Sequence, residues 1–251
     1  MREKIVIFDL DDTLLNNNSQ VSEYTLSVLL AAREQGHLLV FNTARSQMRS
    51  ERIAELIMPD YAIYNGGAQI VDKAGCTIFQ SGIDKSVCNA MVPELFALTD
   101  RFSMQADWFY SANEDYKAPD VRFFDFKNEE FPFDAYKIIA FSDDPAGLVQ
   151  LAERFQLDFI SYFGGPFCRF TKRGVTKASG NKMLLELLGR DASDVIAFGD
   201  DEGDIEMLCE AGVGVLMKNA REELEKDGLI VTEYTNDEDG VARFLEKRLG
   251  L

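Results

Sequence analysis

The chain predicts an α/β fold: a central parallel sheet flanked by helices, with an α+β segment inserted into it. Three observations carry this expectation. Short apolar runs at 5–8, 38–41, 61–64 and 195–198 are each bounded by turn residues, the mark of strands buried on both faces, as in a parallel sheet. Helical patterns alternate with these runs at both ends of the chain, as strand–helix–strand crossovers require. Between about residues 81 and 172 the texture changes to short strands and helices without a long parallel series. The expected division is a discontinuous core, 1–80 with 173–251, around an insert at 81–172.

Residues 5–8 read as the first strand and 22–35 as the first helix. Ser22 is placed to cap that helix, apolar residues recur along it at helical spacing, and Gly36 stops it. The strand at 38–41, a helix at 46–58 and the strand at 61–64 follow. A small hairpin is expected at 69–71 and 76–79, around Asp72-Lys73-Ala74-Gly75. In the insert, 84–99 reads as helical and 102–107, 108–111 and 121–126 as extended, while 128–133 is broken by Pro132. Residues 135–141 read as a strand, 144–155 as a helix, and 158–163 with 167–171 as a hairpin over Gly164-Gly165-Pro166. The alternation then resumes with helix 176–188, strand 195–198, helix 204–211, strand 213–216 and a closing helix at 238–249.

At 251 residues, 46% hydrophobic and 27% charged, the chain has the composition of a globular protein with a substantial core. Its net charge of −17 argues against nucleic acid, whose phosphates need a positive footprint, and against anionic membrane surfaces. No apolar run approaches bilayer length, and Met1-Arg2-Glu3-Lys4 before four apolar residues is no signal peptide. The cytoplasm is the expected location. The oligomeric state is left open, a monomer being allowed. The four scattered cysteines are expected to be small buried residues in a reducing compartment. The single His37 follows Gly36 in a loop and has no triad partner nearby.

The buried runs lead into reactive polar residues. The first enters Asp9-Leu10-Asp11-Asp12-Thr13, the second Asn42-Thr43-Ala44-Arg45, the third Asn65-Gly66-Gly67, and the fourth Gly199-Asp200-Asp201-Glu202-Gly203-Asp204. Ligands of open α/β sheets bind beyond the carboxyl ends of the strands, so carboxylates from both ends of the chain should meet at one edge. Asp9 and Asp11, two apart at a strand end, can face one side while Leu10 returns to the core. One carboxylate can attack phosphorus while the other exchanges a proton with the leaving group and then with water. A divalent cation would let a carboxylate approach an anionic phosphate, and Mg²⁺ suits oxygen ligands. A solvated turn or a helix cap is the bland alternative. It suits Asp12 but leaves the exit of a buried strand into Asp9 and Asp11 unexplained.

The segment Phe8-Asp9-Leu10-Asp11-Asp12-Thr13-Leu14-Leu15 resembles the first motif of the haloacid dehalogenase-like hydrolases. The resemblance spans the chain and is most similar to the Cof-type branch with the larger inserted cap. It implies a Rossmann-like core, an α+β cap domain, and a Mg²⁺-dependent phosphatase that hydrolyses small phosphorylated metabolites. Sugar phosphates or similar phosphomonoesters are the implied substrates, with an aspartyl-phosphate intermediate. Carried over, Asp9 is the nucleophile and Asp11 the acid/base, with its backbone carbonyl also on the metal, while Thr13 shapes the turn. Thr43 matches the hydroxyl that binds the phosphoryl group, with a helix N-cap as its other reading. Ala44 stands where the family usually has Gly, and Arg45 matches the basic residue that holds phosphate or the loop.

Gly174-Val175-Thr176-Lys177 resembles the segment bearing the family's lysine, which makes Lys177 the partner of Asp9 and of the phosphoryl oxygens; Lys172, Arg173 and Lys182 are the competing, solvated cations. Asp200 matches a direct metal ligand and Asp204 a supporting one, so the implied metal set is Asp9, Asp11, Asp200 and Asp204. The family's Asn before that last Asp is Gly203 here, which puts one phosphate contact in doubt. Asn65 is a candidate substrate neighbour, and Asn219 a weaker one. In the cap, Arg169 is expected to favour a leaving group with an acidic or hydroxyl-rich portion. Trp108, Tyr110, Phe123, Phe124, Tyr162 and Phe163 are pocket candidates, although aromatic residues in a small domain more often belong to the core. The alternatives are a phosphosugar mutase of similar architecture, a receiver-like domain, and a non-catalytic phosphometabolite-binding protein.

Overall fold

The computed structural model describes residues 3–161 and 165–251. In chain order the elements are β1 (Ile5–Phe8), α1 (Glu23–Glu34), β2 (Leu38–Asn42), α2 (Gln47–Ile57), β3 (Tyr61–Tyr64), β4 (Gln69–Asp72) and β5 (Thr77–Gln80). Next come α3 (Lys85–Leu98), β6 (Phe102–Gln105), β7 (Phe109–Ser111), β8 (Val121–Phe123), β9 (Lys137–Phe141), α4 (Pro145–Arg154), β10 (Leu157–Ser161) and β11 (Phe167–Lys172). The chain closes with α5 (Lys177–Leu188), β12 (Val195–Gly199), α6 (Ile205–Glu210), β13 (Val213–Leu216), β14 (Ile230–Val231) and α7 (Gly240–Leu249). It divides into two compact units, Met1–Phe79 with Thr176–Leu251, and Gln80–Val175.

The first unit carries an eight-stranded sheet in the order β14-β13-β12-β1-β2-β3-β4-β5. Its strands run parallel from β14 to β3, and β4 pairs antiparallel with β3. Every residue of β1 is buried because successive side chains enter opposite layers. Val6, Phe8, Leu39, Phe41, Ile196 and Phe198 pack with α1 and α7. Ile5, Ile7, Val40, Val195 and Ala197 pack with α5 and α6. Local chemistry sets the helix ends. The Ser22 hydroxyl accepts from Thr25 N at 2.9 Å to open α1, and Thr176 forms a reciprocal capping box with Ser179 to open α5.

The second unit is a six-stranded sheet in the order β10-β11-β9-β6-β7-β8, antiparallel except for the β7–β8 pair. Cys88, Met91 and Leu95 of α3 and Leu148 and Leu151 of α4 bury one face of it, against Met104, Ile138, Ala140 and Phe170. Tyr110 and Phe124 belong to a cluster of edge-to-face and tilted rings with Phe126 and Phe131, so these two are core residues here. Trp108 lies under the Arg122 guanidinium, 3.7 Å from its ring centroid, whereas Phe123 is exposed. Arg169 is half-buried on β11. Tyr162, Phe163 and Gly164, with the turn expected there, lie outside the described residues.

Several local expectations are corrected. The strand expected at 135–141 begins at Lys137, because Ala135 instead bridges to Ile83. The closing helix starts at Gly240, since Thr235 and Glu238 first cap a single tight turn at Asn236–Glu238. The helix expected from 204 starts at Ile205, after a turn at Glu202–Asp204 capped by Asp201. The edge strand β14 is too short to leave a period in the sequence. Cys88 and Cys168 are buried, but Cys76 and Cys209 are exposed.

Candidate active site

Beyond Phe8 the chain leaves the sheet in a wide turn closed by Leu15 N on Leu10 O at 2.8 Å. Asp9 is still tied to the sheet, its N–H donating to Phe198 O at 3.1 Å, and it is buried. Leu10 returns to the core. Asp11 is extended, and Asp12 takes the left-handed conformation that reverses the chain. Asp9 and Asp11 therefore leave the same strand end for different surroundings.

Lys177 is the first residue of α5 and is buried. Its ammonium lies 2.8 Å from Asp9 Oδ1 and 2.6 Å from Asp204 Oδ1. The second Asp204 oxygen accepts from the N–H groups of Asp200 and Asp201, both at 3.1 Å. Asp204 thus pins the loop that presents Asp200. Thr13 donates its hydroxyl to Asp200 Oδ1 at 2.7 Å, bridging the two ends of the chain. Asp9, Asp200 and Asp204 each offer a carboxylate oxygen, all within 4.8 Å of one another.

Burial pushes the Asp9 carboxyl up to about 7; the Lys177 charge opposes this and that of Asp204 adds to it. Burial also raises Asp200 to about 7, against the Thr13 hydrogen bond and with the charge of Asp204. Burial alone would lower Lys177, but Asp9 and Asp204 together hold it above the ordinary lysine value. Three carboxylates facing one ammonium form a site short of positive charge. Their oxygen donors suit a hard divalent cation, which would favour the ionised form of all three.

Arg45 grips Asp11 with two nitrogens, Nε donating to Oδ2 at 2.8 Å and a terminal nitrogen to Oδ1. The Asp11 carboxylate consequently stands outside the three-carboxylate cluster. Thr43, buried after β2, does not cap α2, because Ser46 does so through Arg49 N. The Thr43 hydroxyl instead accepts from Arg45 N at 3.2 Å. Asn65 sits in the left-handed region (φ 56°), donates its N–H to Arg45 O at 2.9 Å, and is buried with both side-chain amide atoms lacking a hydrogen-bond partner among the described residues. In the same turn Gly67 (φ +104°) is required by contact: a Cβ there would stand 2.0 Å from Thr176 O. That close approach seats the turn against the start of α5, the helix of Lys177.

Lys182 and Arg173 are exposed, whereas Lys177 is buried on Asp9 and Asp204. Asn219 donates to Asp12 O at 2.8 Å and accepts from Asn236 N, a structural role at the mouth of the turn. Gly203 has none of the described residues' side chains or more distant backbone within 4 Å of where a Cβ would be. Sequence reasoning missed the Thr13–Asp200 bond and the Arg45–Asp11 grip. Both partners are adjacent to recognisable motifs, but nothing in a linear pattern pairs residues 187 and 34 positions apart.

The sequence model describing haloacid dehalogenase-like hydrolases matches residues 6–245. The chain belongs to that family. It is 28% identical to the 5-amino-6-(5-phospho-D-ribitylamino)uracil phosphatase YcsE of Bacillus subtilis, over 96% of this chain and 93% of that protein. It is also 28% identical to the phosphatase YwpJ of the same organism, over 98% of this chain and all of that protein. A crystal structure of a haloacid dehalogenase-like hydrolase from Bacteroides thetaiotaomicron shares the fold, with TM-score 0.84, 23% identity, and coverage of 98% of this chain and 100% of that chain. The structure of TM0651 from Thermotoga maritima does so with TM-score 0.86 and 23% identity, covering 98% and 97%. No helix among the described residues is long and apolar enough to cross a membrane.

Proposed function

We propose that the protein is a Mg²⁺-dependent phosphomonoesterase of small phosphorylated metabolites, sugar phosphates or similar organic esters, working through an aspartyl-phosphate. The observation that carries this reading is the buried Lys177 ammonium held on Asp9 beside Asp200 and Asp204 at the carboxyl ends of β1 and β12. Asp9 attacks phosphorus in line, and Asp11 gives its proton to the departing alcohol oxygen. Asp11 then takes a proton from the water that cleaves the acyl phosphate and restores Asp9. Thr43 and Lys177 hold the equatorial oxygens, whose charge the ammonium offsets. Arg45 and Asn65 bind substrate. Arg45 also holds Asp11 before substrate arrives, so the pair must part for Asp11 to act.

Asp9, Asp200, Asp204 and the Asp11 carbonyl would hold Mg²⁺, whose charge would let a carboxylate approach an anionic ester. Substrate choice is assigned to the domain at 81–172, with Arg169 favouring an acidic or hydroxyl-rich leaving group. The two Bacillus subtilis relatives, a 5-amino-6-(5-phospho-D-ribitylamino)uracil phosphatase and a phosphatase, support the ester class. Two exposed thiols, Cys76 and Cys209, suit the reducing cytoplasm. The test is phosphate release from a panel of sugar and small organic phosphates, with Mg²⁺ and with chelator, by the native protein and by Asp9→Asn. Turnover surviving both chelation and the substitution overturns the mechanism. Unchanged preferences across the panel in Arg169→Ala remove the leaving-group assignment.

A further inference from the structure

Asn42 closes β2, a strand otherwise written Leu38-Leu39-Val40-Phe41, and is completely buried. Its amide nitrogen donates to two acceptors on the first two turns of α5: Lys177 O at 2.8 Å and Asn181 Oδ1 at 2.8 Å. These bonds join segments 135 and 139 positions apart. One segment runs directly into Thr43; the other begins with Lys177. The Asn42 side-chain oxygen, Oδ1, has no hydrogen-bond partner among the described residues. A buried acceptor left unmet costs stability, and an apolar side chain of similar size would avoid that cost. Stability alone therefore does not account for an amide in this strand.

We propose that Asn42 and Asn181 form a positioning pair that sets the first turn of α5 against the end of β2, and so fixes the Lys177 ammonium between Asp9 and Asp204. The pair acts through Lys177 and touches no reacting atom. Its geometric logic is direct. Lys177 is the first residue of its helix, where the N–H groups have no intrahelical acceptor. The Asn42 amide on its carbonyl ties that end to β2, a tie the helix itself does not supply. The second bond, one turn further along, sets the rotation of the helix about its axis.

This inference rests on the phosphatase reading only for its kinetic arm. In the full-length protein, Asn42→Leu and Asn181→Leu are expected to lower kcat by about 10- to 100-fold, the scale of a misplacement near 1 Å. KM should stay within about threefold of the native value, because no substrate contact is removed. Asn181→Asp keeps an acceptor oxygen for the Asn42 amide and should recover most of the loss. The independent arm uses ¹⁵N-lysine labelling of the full chain, with and without Mg²⁺. A lysine ammonium held between two carboxylates should give a slowly exchanging signal that disappears in Lys177→Arg. Asn42→Leu and Asn181→Leu should broaden or shift it.

Native kcat, or an unaltered lysine signal, in either folded leucine variant overturns the proposal. So does an Asn181→Asp protein as impaired as Asn181→Leu, or the lack of any slow lysine signal in the native protein. If Asn42→Leu does not fold, Asn181→Leu decides by the same two readouts. If the native protein releases phosphate from no ester, the phosphatase reading falls, and the lysine signal alone decides the positioning role.

Discussion

Arg45 holds Asp11 by two nitrogens, Nε on Oδ2 at 2.8 Å and a terminal nitrogen on Oδ1. The bidentate grip sets the direction of a side chain that is otherwise about half exposed. Asp11→Asn should lower kcat by roughly 10²- to 10⁴-fold, the range for losing a general acid. Arg45→Ala leaves Asp11 in place but undirected and removes the cation proposed to bind substrate. Its kcat/KM is expected to fall by about tenfold, the cost of one hydrogen bond to a charged group. Steady-state kinetics of the two variants at saturating Mg²⁺ checks both values.

Lys177 answers two buried carboxylates at once. Lys177→Met leaves Asp9 and Asp204 without their cation, and losing one partner of a buried ion pair costs about 3–5 kcal/mol. Urea unfolding in chelator should show that loss, and Mg²⁺ should restore part of it. A variant as stable as the native protein would mean the pair contributes nothing to the fold.

Thr13 orients Asp200 through a single bond of 2.7 Å. Thr13→Val keeps the shape and removes the donor. Partners of this kind tune a metal ligand by about 10- to 100-fold in affinity, so the Mg²⁺ concentration for half-maximal thermal stabilisation should rise by at least tenfold. The native protein should melt higher with Mg²⁺ than with chelator, because an ion that binds only the folded state stabilises it.

Gly203 offers open space among the described residues, at the position where the family resemblance implies an Asn. Gly203→Asn should change stability by no more than about 0.5 kcal/mol, as for a surface position. If the added amide reaches the phosphoryl group, KM should fall by roughly two- to tenfold, the equivalent of one hydrogen bond. An unchanged KM across the ester panel would show that the amide does not reach.

His37 is buried and accepts from Lys4 N at 2.9 Å through Nδ1. Burial lowers its pKa below the ordinary 6.5. The folded state therefore binds fewer protons than the unfolded state, so this contribution is present above pH 6.5 and is lost as the pH falls through the lower, folded-state value. Asp9 and Asp200 act with the opposite sign. Raised to about 7 from 3.8, they favour the folded state below 3.8 and lose that contribution as pH rises towards 7. The two effects separate in the difference between the native protein and His37→Asn, whose amide oxygen can take the Lys4 bond. Any stability advantage of the native protein above pH 6.5 should shrink as pH falls further. A difference independent of pH from 7.5 to 5 would rule out a neutral, buried His37.

Ile5–Phe8, Tyr61–Tyr64 and Val213–Leu216 were legible as strands to the residue because both faces of a parallel sheet are buried, and that writes an unbroken apolar run. The cap Ser22 was legible too, since a cap acts on its own next turn; Thr176, read as the first residue of its helix, is the cap before it. Gly240 as the start of α7, the two-residue β14 and the exposure of Cys76 and Cys209 were not, because each depends on what packs nearby. The same boundary runs through the site. The family resemblance named Lys177, and local sequence marked Asp9, Asp11, Thr43, Asp200 and Asp204, since each lies in the polar run after a strand. It could not say that Lys177 would stand on Asp9 and Asp204, that Arg45 would take Asp11, or that Thr13 would hold Asp200. Those pairings are made by the order of strands in the sheet, which brings residues far apart in the chain within 3 Å.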